Sequence, residues 1–355
     1  MTVLFISSLK DIHSIVAYYI LKQNNIETFF WSPELLPNSS SVSTKLSDNE
    51  YNKSIVCTVT GSYAENIDRV ILRKWGKVDA SSLHPDDQNI AISEFKRFLY
   101  GSMHFLAPDA VWSNPWPSFH RADSKALQLY TAQKSGFEIP ETLMSNDPEE
   151  IRNFTKYHGI EKVIYKPYEL VYWDTEDAGI ARAMTNTLSS EILQDNFALQ
   201  NCPGIYQKMI DKKYELRLHI FGNCIVPTRI SQNNENRSTD IREDINKIIL
   251  ESVEISSELY KKCMKFMNLM NISFGVMDLI IDKNDNLYFL ENNISGNFLW
   301  TEYLLPEIRL LDNFIEFILN FGNNGMQKNI KNYSFKTLYD SSSFKNSYEY
   351  RTIFK

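Results

Sequence analysis

The sequence contains no apolar run near the roughly 20 residues that a membrane-spanning helix needs, and no basic segment precedes its apolar start, MTVLFISSLK. That opening reads as a first strand and not as a signal peptide. Cysteine is scarce: Cys57, Cys202, Cys224 and Cys263 lie far apart and form no paired motif. Their spacing excludes a disulfide framework and a cysteine zinc site, and it suits reduced thiols. The histidines, among them His13, His120 and His219, show no metal-ligand spacing and read as ordinary structural residues. Positive charge is not in excess either. A formal charge of -7 argues against a broad nucleic-acid surface, although a small cationic pocket is compatible with it. Together these absences predict a soluble cytoplasmic protein that engages neither membrane nor nucleic acid.

What is present is core-forming material. Apolar residues make up 43% and aromatic residues 13% of 355, enough for two or three lobes. VLFISS, DIHSIVAYYILKQNN and ETFFW read as strand, helix and strand, with Asp11 as the helix cap, so the chain opens as an α/β unit. LPNSSSVSTKLSDNEYNKS reads as a loop. IVCTVTG and RVILRKW read as strands, and a long helix starts near Pro85. SNPWPSF breaks the pattern and marks a boundary at 113–119.

Beyond it, a helix capped by Asp123 or Ser124 ends at Gly136, and another begins at Pro148. KVIYK is a strand ending at Lys166, and a short helix near SEILQDNF precedes the strand GIYQKMI. YELRLHIFGNCIVPTRI is a hairpin turning at Gly222-Asn223. DINKIILESVEISSELYKKCMKFMNLMN is expected to hold one long helix or two short ones. A helical region spans LLPEIRLLDNFIEFILNFG, and a polar, peripheral stretch follows from about Asn323.

The segment GVMDLIIDKNDNLYFLENNISGN carries the main chemical signal. Two apolar runs flank a polar turn, and each has a carboxylate at its outer end, Asp278 and Glu291. A turn centred on Asn284-Asp285 would pair Leu279 with Leu290 and set Asp278 opposite Glu291, with Asn293 on the same side. Two carboxylates about 5 Å apart repel by roughly 3 kcal/mol at an effective dielectric near 20. Protonating one acid or placing a cation between them relieves this, and an all-oxygen set suits magnesium better than zinc. The plain alternative is a pair of solvated acids at a sheet edge. A one-residue bulge would move Asp278 to the other face.

With its surroundings, this hairpin resembles the metal-binding end of ATP-grasp ligases. NPWPSFHRADSKALQLYTAQKSGFEIPETLMSNDPEEIRNF, RISQ…DIR and FLENNISGNFLWTE are similar to the branch that modifies ribosomally made peptides, the graspetide synthetases. The resemblance runs from the N-terminus to about Phe321. It implies an α/β (α+β) ATP-grasp fold with an N-terminal lobe over 1–112, a central lobe over 113–203, a C-terminal nucleotide- and metal-binding lobe over 204–330, and a polar tail over 331–355. It implies ATP and Mg2+ as cofactors, with Asp278, Glu291 and Asn293 holding the metal.

By the same resemblance Lys125 and Lys166 contact phosphates, and Gln207, Lys208 and Met209 form the adenine hinge through backbone. Glu215 takes the ribose hydroxyls, Arg217 faces the reacting phosphoryl group, and Arg242 takes a substrate anion, with Arg229 a weaker candidate. The plain alternatives are solvent exposure for Lys125, a snorkelling edge residue for Lys166, and a same-strand ion pair for Glu215 and Arg217. The implied partner is a precursor peptide of leader plus core, and a homodimer is compatible. One departure stands out: PYELVYWDTEDAG, where a phosphate-cradling loop would hold glycines, has only Gly179 beside Glu169, Asp174, Glu176 and Asp177. It reads as a cover whose acids face outward or toward substrate. Gly296-Asn297 stands where the branch has glycine-glutamine.

The implied reaction is ATP-dependent activation of a peptide carboxylate, followed by ester or amide ring closure. The rivals are a ligase of free amino acids or small acids, and a catalytically silent peptide-binding relative.

Overall fold

The computed structural model describes residues 1–48, 53–56, 66–168, 172–175, 179–182, 186–232, 248–322, 330 and 333–347. The N-terminal unit is a parallel sheet wrapped by helices. Strand β1 (Thr2–Ile6) leads into helix α1 (Ile12–Gln23) and strand β2 (Glu27–Trp31). Asp11 caps α1 by accepting the Ser14 N–H, as its position before an apolar helical pattern requires. The expected loop after β2 holds a strand, β3 (Val42–Lys45), paired antiparallel with β4 (Lys53–Val56). Strand β5 (Arg69–Leu72), helix α2 (Pro85–Ser102) and strand β6 (Val111–Trp112) complete the unit, with sheet order β2-β1-β5-β6.

SNPWPSF is not irregular throughout. Helix α3 (Trp116–Ala122) starts inside it, because its prolines fall just before and within the first turn, where no backbone donor is needed. Helix α4 (Lys125–Ser135) is capped by Ser124 and ends at Gly136, whose φ of 93° is the left-handed conformation that glycine adopts most easily.

The central sheet has the order β11-β8-β12-β7, all antiparallel. Its strands are β7 (Thr142–Ser145), β8 (Val163–Lys166), β11 (Asn186–Thr187) and β12 (Gly204–Lys208); between them the chain forms helix α5 (Pro148–His158), a separate two-stranded hairpin of β9 (Tyr172–Thr175) and β10 (Gly179–Arg182), and helices α6 (Ser190–Gln194) and α7 (Asn196–Asn201). The side chains of the acidic stretch from Glu169 to Asp177 lie outside the described residues.

The third sheet has the order β15-β14-β13-β16-β17. Strands β13 (Lys212–Phe221) and β14 (Cys224–Gln232) turn at Gly222-Asn223, with Gly222 at φ 61°. The described part of the segment expected to be wholly helical holds a strand, β15 (Ile248–Ser252), before helix α8 (Ser257–Met270). Strands β16 (Phe274–Asp282) and β17 (Leu287–Asn293) follow, then α9 (Leu299–Leu304) and α10 (Leu310–Asn320). The described part of the tail is not peripheral. Its helices α11 (Phe335–Asp340) and α12 (Ser342–Lys345) bury Phe335, Leu338 and Phe344, the last with its ring 5.2 Å from Tyr19.

One face of the third sheet forms the core. Leu216, Leu218, Met277, Leu279, Ile281 and Phe289 pack with Leu129 and Ala132 of α4 and with Phe266 and Met270 of α8. The same cluster continues into Leu4 and Leu72 of the N-terminal unit and Trp116 of α3. The other face carries the polar residues.

Candidate active site

Strand register assembles the polar face. Arg217 of β13 lies opposite Asp278 of β16, which lies opposite Glu291 of β17. Two residues along, Glu215 and Asn293 project to the same side. The turn differs from expectation. Leu279 pairs with Phe289 and not with Leu290, because the loop holds three residues with Asp285 at φ 65°. The Asp282 carboxylate closes that loop by accepting the N–H groups of Asn284 and Asn286, each at 2.8 Å.

A bulge between Leu279 and Asp278 leaves Leu290 unpaired and restores the expected opposition of Asp278 and Glu291. Phe289 and Glu291 would share a face in a regular strand. The extra residue sends Phe289 into the core and Glu291 to the polar face.

The acids are compensated by neighbouring cations. Arg217 donates to both carboxylate oxygens of Asp278, at 2.8 and 3.1 Å, and to the Asn297 carbonyl at 3.2 Å. Its guanidinium lies 5.7 Å from the centre of the Trp300 ring. Lys125, in the first turn of α4, donates to Glu291. Asn293 Oδ1 accepts the Ser295 N–H at 3.0 Å and keeps a second lone pair. Glu215 accepts from Lys212 at 2.7 Å, so the same-strand Glu215–Arg217 alternative is not how either charge is met. Two carboxylates and an amide oxygen on one face fit a hard cation such as magnesium, which would compete with Arg217 and Lys125 for the acids. Among the described residues no three His, Cys, Asp or Glu side chains gather as a metal site.

The floor of this face is unusually polar for its burial. His219, two residues from Arg217, is fully buried with Nδ1 3.1 Å from the Val226 carbonyl. Burial and then the Arg217 charge push its pKa down to about 3. Thr228, opposite Arg217 on β14, is also buried.

A second cluster sits on the central sheet. Lys166 lies opposite Ile205 and donates to Gln207 Oε1 at 2.6 Å, while Gln207 Nε2 donates to Thr142 at 2.9 Å. The N–H groups of Lys208 and Met209 are committed to the Glu141 and Lys162 carbonyls, so at these two residues a base would meet carbonyl groups and not free donors. Arg229 is opposite Leu216 and therefore on the core side, ion-paired with Glu251 at 3.4 Å and stacked over Tyr214. Arg242 lies outside the described residues.

Other buried polar residues hold this region with little mark in the sequence. Gln128 of α4 is buried and holds both backbone groups of Asn292, accepting its N–H at 2.8 Å and donating to its carbonyl at 3.0 Å. Asn292 stands between Glu291 and Asn293. A glutamine in the inward stripe with Leu129 and Ala132 was the clue available. Asp11, read only as a cap, also bonds Arg73 and His13 deep in the molecule.

No family model and no curated protein sequence matches the chain. Solved structures do. A Chryseobacterium gregarium RiPP-associated ATP-grasp ligase, in complex with ADP and a leader and core peptide, is 26% identical, with 91% of this chain and 97% of that one covered at a TM-score of 0.78. The macrocyclase MdnC of Microcystis aeruginosa, bound with precursor peptide MdnA, is 21% identical, with 90% and 99% covered at 0.76. A D-alanine–D-alanine ligase from Bacillus anthracis, complexed with ATP, is 15% identical, with 90% and 97% covered at 0.51. The α/β architecture described above is thus the ATP-grasp fold, and its structural relatives include RiPP-associated ATP-grasp ligases.

Proposed function

We propose that this chain, ATP-grasp in fold, is an ATP- and magnesium-dependent ligase that closes rings within a ribosomally made precursor peptide. The observation that carries the reading is the shared face of Asp278, Glu291 and Asn293, with Arg217 and Lys125 bonded into it. Its support from comparison is a 26% identical relative solved with ADP and with leader and core peptides. Magnesium held by Asp278, Glu291 and Asn293 would neutralise charge on the transferred phosphoryl group.

The chain's own residues supply the rest. Lys125 and Lys166 anchor phosphates, and Arg217 faces the phosphoryl group in transfer. Glu215 takes the ribose hydroxyls, Gln207 and the carbonyls of Lys208 and Met209 border the base, and Arg242 takes a substrate anion. In the reaction a peptide side-chain carboxylate oxygen attacks the γ-phosphorus and ADP leaves. A Ser or Thr hydroxyl, or a Lys amine, of the same peptide then attacks the acyl carbon. Phosphate departs with the electron pair and the nucleophile loses its proton, leaving an ester or amide ring. No enzyme nucleophile is needed.

The test is mass spectrometry of the peptide encoded beside this gene after incubation with protein, ATP and magnesium. Each ring should remove one water. Glu291→Gln and Asp278→Asn should each abolish ring formation while peptide binding persists. A normal yield from either variant removes the metal assignment, and ADP release with free amino acids but not with the peptide points to a small-acid ligase.

A further inference from the structure

A buried polar network reaches from the N-terminal unit to the segment that follows the candidate metal face. Asp11, His13 and Arg73 are each less than 5% exposed. Arg73 Nε donates to Asp11 Oδ2 at 2.9 Å, and its Nη2 donates to the carbonyls of Ser295 and Gly296, both at 3.3 Å. Its guanidinium lies among the rings of Phe274, Phe298 and Phe314, 5.2, 5.6 and 5.8 Å from their centres.

His13 Nδ1 is 3.1 Å from Asp11 Oδ1, and its Nε2 is the acceptor for two backbone N–H groups, Phe298 at 2.9 Å and Leu299 at 3.2 Å. Accepting twice at Nε2 puts the proton on Nδ1, where it is donated to Asp11. Arg73 and His13 thus hold two carbonyls and two N–H groups of one stretch, Ser295 to Leu299.

That stretch touches the site twice. The Ser295 N–H is donated to Asn293 Oδ1, and the Asn297 carbonyl accepts from Arg217. A fully desolvated ionic group is poor value as packing alone, since apolar residues of similar volume stabilise a core as well or better. Its bonds instead end on the backbone that orients one oxygen donor and one phosphoryl-facing cation.

We propose that Asp11, His13 and Arg73 act as positioning residues that fix the 295–299 segment and, through it, Asn293 and Arg217 for the metal–nucleotide complex. The inference rests on the ligase reading above. Its test compares His13→Phe, which has no acceptor, with His13→Gln, whose amide oxygen keeps one. Hydrogen exchange needs neither metal nor nucleotide. His13→Phe should speed exchange of peptides covering 295–299 at least tenfold, with 279–290 unchanged.

Calorimetry with Mn2+ and a non-hydrolysable ATP analogue should show roughly tenfold weaker Mn2+ binding in His13→Phe, with His13→Gln restored to within about threefold. Unchanged exchange, or faster exchange with wild-type Mn2+ affinity, would reduce the network to a structural one and overturn the proposal. If His13→Phe does not fold, Arg73→Lys, which keeps a charge by Asp11 but loses the guanidinium fork, takes its place in both measurements. A wild-type protein that binds no Mn2+ with nucleotide sinks the ligase reading itself, a result distinct from a wild type that binds and a variant that binds equally.

Discussion

Opposed carboxylates need an opposite charge between or beside them, and here each acid of the pair has one: Arg217 on Asp278 and Lys125 on Glu291. The same two cations are those proposed to meet phosphate. Metal and nucleotide would therefore arrive by exchange of partners, with the acids passing to the metal and the cations to phosphate, so each ligand should help the other bind. Lys125 and Glu291 are 28% and 34% exposed, which limits their pair to at most about 1 kcal/mol. Lys125→Met should accordingly tighten Mn2+ binding in the absence of nucleotide by up to roughly fivefold, while weakening nucleotide binding. Calorimetric titration reads both. Mn2+ affinity that is unchanged or lower in Lys125→Met would mean that the lysine does not compete for Glu291.

At the scale of elements, the site depends on how α4 meets β17. Gln128 satisfies the backbone of Asn292 from the helix side, and the bulge at Leu290 sets which side chains of β17 face the core. Replacing Gln128 by Leu would strand the buried N–H of Asn292 and take a donor from the buried carbonyls of Asn292 and Ala122, costing about 2–4 kcal/mol. Because Asn292 lies between two of the proposed metal ligands, the variant should also need more magnesium for half-maximal turnover. A shift in denaturant midpoint without a change in magnesium requirement would confine Gln128 to stability.

These elements also show where the sequence was readable. Helix ends were legible because caps are local chemistry: Asp11, Ser124 and Gly136 each stand where an exposed backbone group needs them. The opposition of Asp278 and Glu291 was legible too, but by an incomplete route. The three-residue loop and the bulge each move the register by one and cancel, and both answer to the packing of Phe289 against Phe137 and Phe266, which no local pattern reveals. Strand β15 was hidden for a similar reason. Ile248, Ile249 and Leu250 suit a helix as well as a strand, and pairing with β14 decides. Buried polar partners such as Arg73 and Gln128 depend on contacts made across more than 150 residues and left only faint marks in the sequence.

For the whole molecule, two buried neutral histidines couple stability to pH. His13 faces Asp11, Arg73 and Lys74, and burial followed by the Arg73 charge pushes its pKa down to about 4. His219, beside Arg217, is pushed down to about 3. Both folded values lie below the ordinary histidine value, so the unfolded chain takes up these protons more readily. Their contribution is complete above about pH 6.5 and is lost as pH falls toward 4 and then 3. Asp11 acts in the same direction lower down. Burial alone would raise its pKa, but Arg73 and His13 outweigh burial and hold it well below the usual carboxylate range. Glu302, raised chiefly by burial while it accepts the Leu311 and Phe335 N–H groups, opposes the trend over the carboxylate range.

Between pH 7 and 4.5 the two histidines together should remove on the order of 5 kcal/mol, a large fraction of a typical folding free energy. Urea midpoints measured across that interval should fall steadily, and His219→Gln should flatten the decline by about half because glutamine has no proton to gain. A midpoint that stays level to pH 4.5 in the wild type would require both histidines to be charged and partnered inside the fold. For His13 that would turn Nε2 from an acceptor into a donor facing two N–H groups, which is incompatible with its bonds to Phe298 and Leu299.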